Sequence, residues 1–126
     1  MKHIILLIII LLSASCTIRK KNNNKVASMY ADTLFDKSTN ITFYLDTSRT
    51  VVYAYSGNSK LLWKTDPRKD NQVNEYRITN PKIYYFNLDS MWLVNDRIET
   101  VRVEYNNSQR VNLDKKTGKM LGVGQL

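Results

Sequence analysis

The sequence predicts a single, mostly antiparallel β domain. Three observations carry that reading. From Asn40 onward, short runs of residues alternate with period two. Clusters of Gly, Pro, Asn, Asp and Ser separate the runs, and these residues suit turn dihedrals or bond their own backbone. Most of the gaps are short, and a parallel pair needs a long crossover, so consecutive strands must be antiparallel.

The elements follow in order. Ile41, Phe43 and Leu45 alternate with Thr42 and Tyr44. Val51, Tyr53 and Tyr55 alternate with Val52 and Ala54. Leu61 and Trp63 come next, then Ile83 to Phe86, Met91 to Val94, Val101-Val103-Tyr105, Val111-Leu113, and Met120 to Val123. Turn signals fill the gaps: Asp46-Thr47-Ser48, Ser56-Gly57-Asn58-Ser59, Asn80-Pro81, Asn95-Asp96, Asn106-Asn107-Ser108 and Lys116-Thr117-Gly118. The pattern is a β-meander of about seven to nine strands, closed as a small barrel or folded as two packed sheets. One short N-terminal helix is expected, because Val26, Met29, Tyr30, Thr33 and Leu34 fall at helix spacing. An extended lead-in strand is the alternative there.

Upstream of the domain stands "IILLIIILLSASCTIRK", residues 4 to 20. Lys2, the apolar run Ile4 to Leu12, and the small residues Ser13, Ala14 and Ser15 have the layout of a secretory signal peptide. The run is too short to span a bilayer: its nine helical residues reach about 14 Å, against roughly 30 Å of hydrocarbon. Leu12-Ser13-Ala14-Ser15-Cys16 resembles the lipobox of bacterial lipoproteins. That resemblance implies cleavage before Cys16 and acylation of Cys16, the chain's only cysteine; ordinary signal-peptidase cleavage of the same Ser15–Cys16 bond, which Ser13 and Ser15 also fit, is the alternative. It implies a protein anchored by lipid (palmitate among the acyl groups) in a Gram-negative envelope. Thr17 stands where enteric lipoproteins kept in the inner membrane carry an aspartate, so the resemblance points to the outer membrane. Arg19-Lys20-Lys21 stands where an acidic surface-export run would be, which favours the periplasmic face. The expected organisation is residues 1–15 as signal peptide, 16–25 as lipidated cysteine and basic flexible tether, and 26–126 as one β-rich domain.

The formal charge of +8 is uneven. Lys2 goes with the signal, and Arg19, Lys20, Lys21 and Lys25 stand in the tether. The 14 basic residues from Val26 onward face 11 acidic ones. A nucleic-acid binder should carry its charge on the folded face, so no nucleic-acid partner is expected. The tether's cations suit anionic headgroups, each adding about 1 kcal/mol near a membrane surface. An acyl chain and a basic run are complementary anchors.

The chemistry of the mature chain is limited by counting. Its single histidine, His3, lies in the signal. This removes Ser-His-Asp and Cys-His nucleophilic systems and histidine-held metal sites. Phosphate-cradling glycine motifs do not occur. The loop Asp66-Pro67-Arg68-Lys69-Asp70-Asn71-Gln72-Val73-Asn74-Glu75 gathers three carboxylates. It lacks the alternating calcium pattern, and Arg68 and Lys69 would repel a cation. It reads as a solvated connection, so no metal and no cofactor is expected. "VYAYSGNSKLLWKTD", residues 52 to 66, resembles one blade hairpin of quinoprotein-type β-propellers. The resemblance covers 15 residues, supports a hairpin, and implies no cofactor. Asp32-Thr33-Leu34 and Asp89-Ser90-Met91 resemble O-glycosylation triplets of one Gram-negative phylum, which bears on processing only.

Thirteen aromatic residues remain. With no disulfide available, most are expected in the core. Ile83-Tyr84-Tyr85-Phe86 is apolar on both strand faces, so this strand is either covered on both sides or exposes a tyrosine row. An exposed row with tryptophan nearby makes Tyr84, Tyr85 and Trp92 a candidate binding surface. The expected function is a non-enzymatic, lipid-anchored envelope module that captures a protein partner, for instance an immunity or inhibitor protein. A structural accessory subunit of an envelope assembly and a small-ligand carrier are the alternatives.

Overall fold

The computed structural model describes residues 31–126. Eight strands follow one another: β1 (Thr33–Asp36), β2 (Ile41–Leu45), β3 (Val52–Ser56), β4 (Leu61–Thr65), β5 (Ile83–Leu93), β6 (Asp96–Tyr105), β7 (Gln109–Asp114) and β8 (Met120–Gln125). They form two antiparallel four-stranded sheets, β1-β2-β3-β4 and β5-β6-β7-β8. Each sheet is a plain meander, as the short connections require. The two sheets pack as a sandwich, so the barrel alternative does not hold.

Two elements differ from the sequence expectation. Thr33 and Leu34 lie in β1 rather than in a helix, and no helix occurs among the described residues. Val26, Met29 and Tyr30 lie outside the described residues. The strand prevails because Leu34, paired with buried Phe43, packs against the core while Phe35 faces out. That is period two, and β2 offers the partner strand. Likewise, Ile83–Phe86 and Met91–Val94 are not two strands. One 11-residue strand runs through Asn87-Leu88-Asp89-Ser90, residues that resemble a turn. Leu88 pairs with buried Val101, so Asn87 and Asp89 take the opposite, outer face while Ser90 follows Leu88.

The core lies between the sheets. Ile41, Phe43, Leu45, Val52, Ala54 and Trp63 come from the first sheet. Ile83, Phe86, Val101, Val103, Tyr105, Val111 and Leu113 come from the second. Only Phe43, Trp63, Phe86 and Tyr105 among the described aromatics are buried, so the expectation that most aromatics lie in the core is overturned. β-branched and leucine side chains fill it instead, since they suit a pleated surface.

Trp63 is the main clasp between sheets. Its ring lies 5.8 Å from that of Phe43, and its Nε1 donates to the Lys115 carbonyl at 3.0 Å. Gly118, with φ of 69°, lets the turn between β7 and β8 close against the indole. A Cβ there would meet Trp63 ring atoms at 2.6 Å.

The meanders give the sandwich two poles. At one lie the start of β1, the β2–β3 turn, the 66–82 connection and the β6–β7 turn. Here the Ile83 amide donates to the Arg49 carbonyl, joining the sheets at 2.9 Å. The turns of β1–β2, β3–β4, β5–β6 and β7–β8 lie at the other. β7 pairs β6 only between Thr100 and Glu104. Residues 90–99 therefore form a two-stranded arm beyond the rest of the second sheet.

Candidate functional site

The arm ends in three consecutive apolar residues. Trp92 is 70% exposed, Leu93 39% and Val94 93%. Val94 sits in the turn with φ of 57°, a left-handed conformation that β-branched residues rarely adopt. The arm is held from both sides. Arg97 Nε donates to Ser90 Oγ at 2.8 Å across it. Met91 lies over Gly122 of β8, where a Cβ would stand 3.0 Å from its methyl group.

Tyr84 and Tyr85 lie elsewhere. A β-bulge between Ile83 and Tyr85 leaves Tyr84 as the extra residue. This turns Ile83 and Phe86 inward and both tyrosines outward. β5 is an edge strand, so the reading of a strand covered on both faces is wrong. The tyrosines are half-buried in a polar network. Tyr84 Oη donates to Glu104 Oε2 at 2.8 Å. The Arg102 guanidinium stands 5.8 Å from the Tyr85 ring centre, donates to Asp89 at 3.0 Å and also pairs with Glu104. Burial alone would raise the Asp89 carboxyl. The Ser90 amide and Arg102 outweigh it and hold the group below its ordinary range. Burial would lower the Arg102 pKa, but the two carboxylates raise it. Seven strand residues separate Tyr85 from Trp92, about 23 Å. The structure therefore does not bring the three predicted residues into one surface: Trp92 stands alone at the tip.

A groove of about 640 Å³ runs beside the arm, lined by Asp36, Leu88, Asp89, Ser90, Arg97, Glu99 and Lys115. Buried Lys115 places its Nζ 2.5 Å from Asp36 Oδ2 and 2.5 Å from Glu99 Oε2. Burial would lower the Lys115 pKa, but hydrogen bonds to both carboxylates raise it. Burial would likewise raise Asp36. Lys115, Thr39 and Ser38 together hold it well below the usual carboxylate range. A protonated amine is no nucleophile and an ionised carboxylate is no general acid at neutral pH. The cluster ties the end of β1 to the second sheet.

One surface escaped the sequence reading. On the outer face of the first sheet, Phe35, Tyr44, Tyr53 and Tyr55 line an open groove of about 650 Å³. Tyr44 and Tyr55 meet edge to face with centres 5.6 Å apart. The signal was present as the alternation of Tyr53 and Tyr55 with Val52 and Ala54. Both phases are apolar, so alternation alone does not say which one faces inward.

The loop over residues 66–75 uses its carboxylates as turn caps. Asp66 Oδ1 accepts from the Arg68 and Lys69 amides. Asp70 Oδ2 accepts from Thr65 Oγ1 and the Asp66 amide, both at 2.9 Å. Among the described residues, no three His, Cys, Asp or Glu side chains gather as a metal site. Cys16, Arg19, Lys20, Lys21 and Lys25 lie outside the described residues. No protein-family model, curated protein or solved structure matches the chain.

Proposed function

We propose that this chain is a lipid-anchored envelope module that captures a protein partner without catalysis, and that the β5–β6 arm makes the central contact. The carrying observation is the exposed Trp92-Leu93-Val94 tip. Tryptophan in the middle of an apolar patch is the residue type that dominates interface energetics. Placement supports the reading. The tip lies at the pole opposite Thr33, where the described strands begin, so it stands clear of the start of β1. An immunity or inhibitor protein fits this layout; an accessory subunit of an envelope assembly fits it less specifically.

The test places a photo-crosslinking amino acid at position 92 in the native envelope. A single protein adduct, absent when the probe is moved to exposed Lys116 on another turn, supports the reading. Adducts to lipid alone, or to the same proteins from both positions, overturn it. The anchor is tested by the mass of the mature N-terminus, since an unmodified Cys16 sinks that part.

A further inference from the structure

A pocket of about 330 Å³ opens at the pole opposite the arm, lined by Ser48, Thr50, Asp66, Arg68, Lys69, Asn80, Pro81, Lys82 and Tyr105. Its central feature is Arg68, a cation only 8% exposed. No carboxylate lies within ion-pair distance of its guanidinium among the described residues. Its Nε is buried without a hydrogen-bond partner. Its one side-chain contact of note is the face of Tyr105, 5.9 Å from the ring centre. The Tyr105 hydroxyl is buried and unpartnered as well.

This arrangement is costly as it stands. A buried cation without a counter-charge is unfavourable. Residues 1–31 contain no acidic side chain. Asp66 is the only acid in the lining, and its Oδ1 is committed to the backbone amides of Arg68 and Lys69 at 3.2 and 3.0 Å. Lys69 and Lys82 add two further cations with no ion pair among the described residues. Lys115, the other buried cation among the described residues, holds two carboxylates.

We propose that this pocket binds a phosphate group. Arg68 supplies the planar donor fork that matches an oxyanion bidentately. Lys69 and Lys82 close the rim as point charges. Three cations against one acid suit a phosphate better than a singly charged carboxylate. The same chemistry accepts free phosphate or the headgroup of an anionic phospholipid, and the pole is the one where the described chain begins.

The purified full-length protein is titrated with inorganic phosphate, and separately with dihexanoyl phosphatidylglycerol as monomer, each against sodium chloride at equal ionic strength. Thermal midpoint and the Arg68 Nε resonance are read together. At a hundred times the dissociation constant the midpoint should rise on the order of 10 °C, and the resonance should shift. R68M should fold in chloride buffer with an equal or higher midpoint and lose the midpoint response to both probes. K69Q with K82Q should weaken binding while leaving the fold intact, which keeps the test open if R68M does not fold. A response to inorganic phosphate marks a free-phosphate site, and a response to the lipid alone marks a headgroup site. The proposal fails if neither probe exceeds chloride, or if R68M, or K69Q with K82Q, responds like the wild type.

Discussion

Lys115 offers the sharpest test of how the two sheets are held at the arm pole. Replacing it with methionine leaves the Asp36 carboxylate, 6% exposed, without its cation. Removing one partner of a buried pair costs about 3–5 kcal/mol. Two features reduce this. Asp36 keeps hydrogen bonds from the Ser38 amide and hydroxyl and from Thr39 Oγ1. The Glu99 side chain is 66% exposed, and such pairs contribute only about 0–1 kcal/mol. A loss of about 2–3 kcal/mol remains for K115M. At about 4–8 °C per kcal/mol for a domain of this size, the midpoint should fall by roughly 10–20 °C. Near-ultraviolet circular dichroism on heating measures it at pH 7. Adding D36N to K115M should recover more than half of the loss, because no charge is then buried. A fall under about 3 °C, or the same fall in the D36N background, refutes the reasoning. The pH dependence has a fixed sign. Asp36 is depressed in the folded state, so its contribution is present above the unfolded value and is lost as pH falls below about 4 towards the folded value. The wild type should lose stability over that range, D36N should lose less, and the K115M deficit should shrink as Asp36 takes up a proton.

Other outcomes follow from single contacts. G118A should cost about 2–4 kcal/mol in urea denaturation, since alanine must adopt φ of 69° and push on the Trp63 ring. V94G should raise stability by up to about 1 kcal/mol, because the left-handed penalty of valine exceeds the added chain entropy of glycine. W92A should shift the thermal midpoint negligibly while weakening partner binding at least about tenfold, measured by calorimetry once the crosslinked partner is purified. G122L should displace Met91 from β8, seen as increased protease cleavage within residues 90–99 and an unchanged core.

The β meander was legible because period-two alternation and turn residues are local properties. Ile41–Leu45, Val52–Ser56 and the hairpin turns follow from them directly. The errors came where local signals are ambiguous. Asn87-Leu88-Asp89-Ser90 has turn-forming residues but sits opposite β6, and pairing overrides propensity. Thr33-Leu34 fits either period until β2 offers an edge. The bulge at Tyr84 was invisible, because one extra residue leaves no mark in the sequence yet reverses which side chains face the core.

What the sequence determined by itself was the class of fold, the lack of any histidine after His3, and the concentration of spare positive charge before Val26. These are matters of counting and of local pattern. Only the tertiary structure decided which residues meet. It separated Trp92 from Tyr84 and Tyr85, because strand length places them at different ends of β5. It joined Lys115 to Asp36 across 79 positions of chain. In the sequence, Arg68 and Lys69 argued against a bound cation and nothing more. Folding buries Arg68 against Tyr105 with no ion pair among the described residues, and the same two residues line a pocket with three cations and one acid.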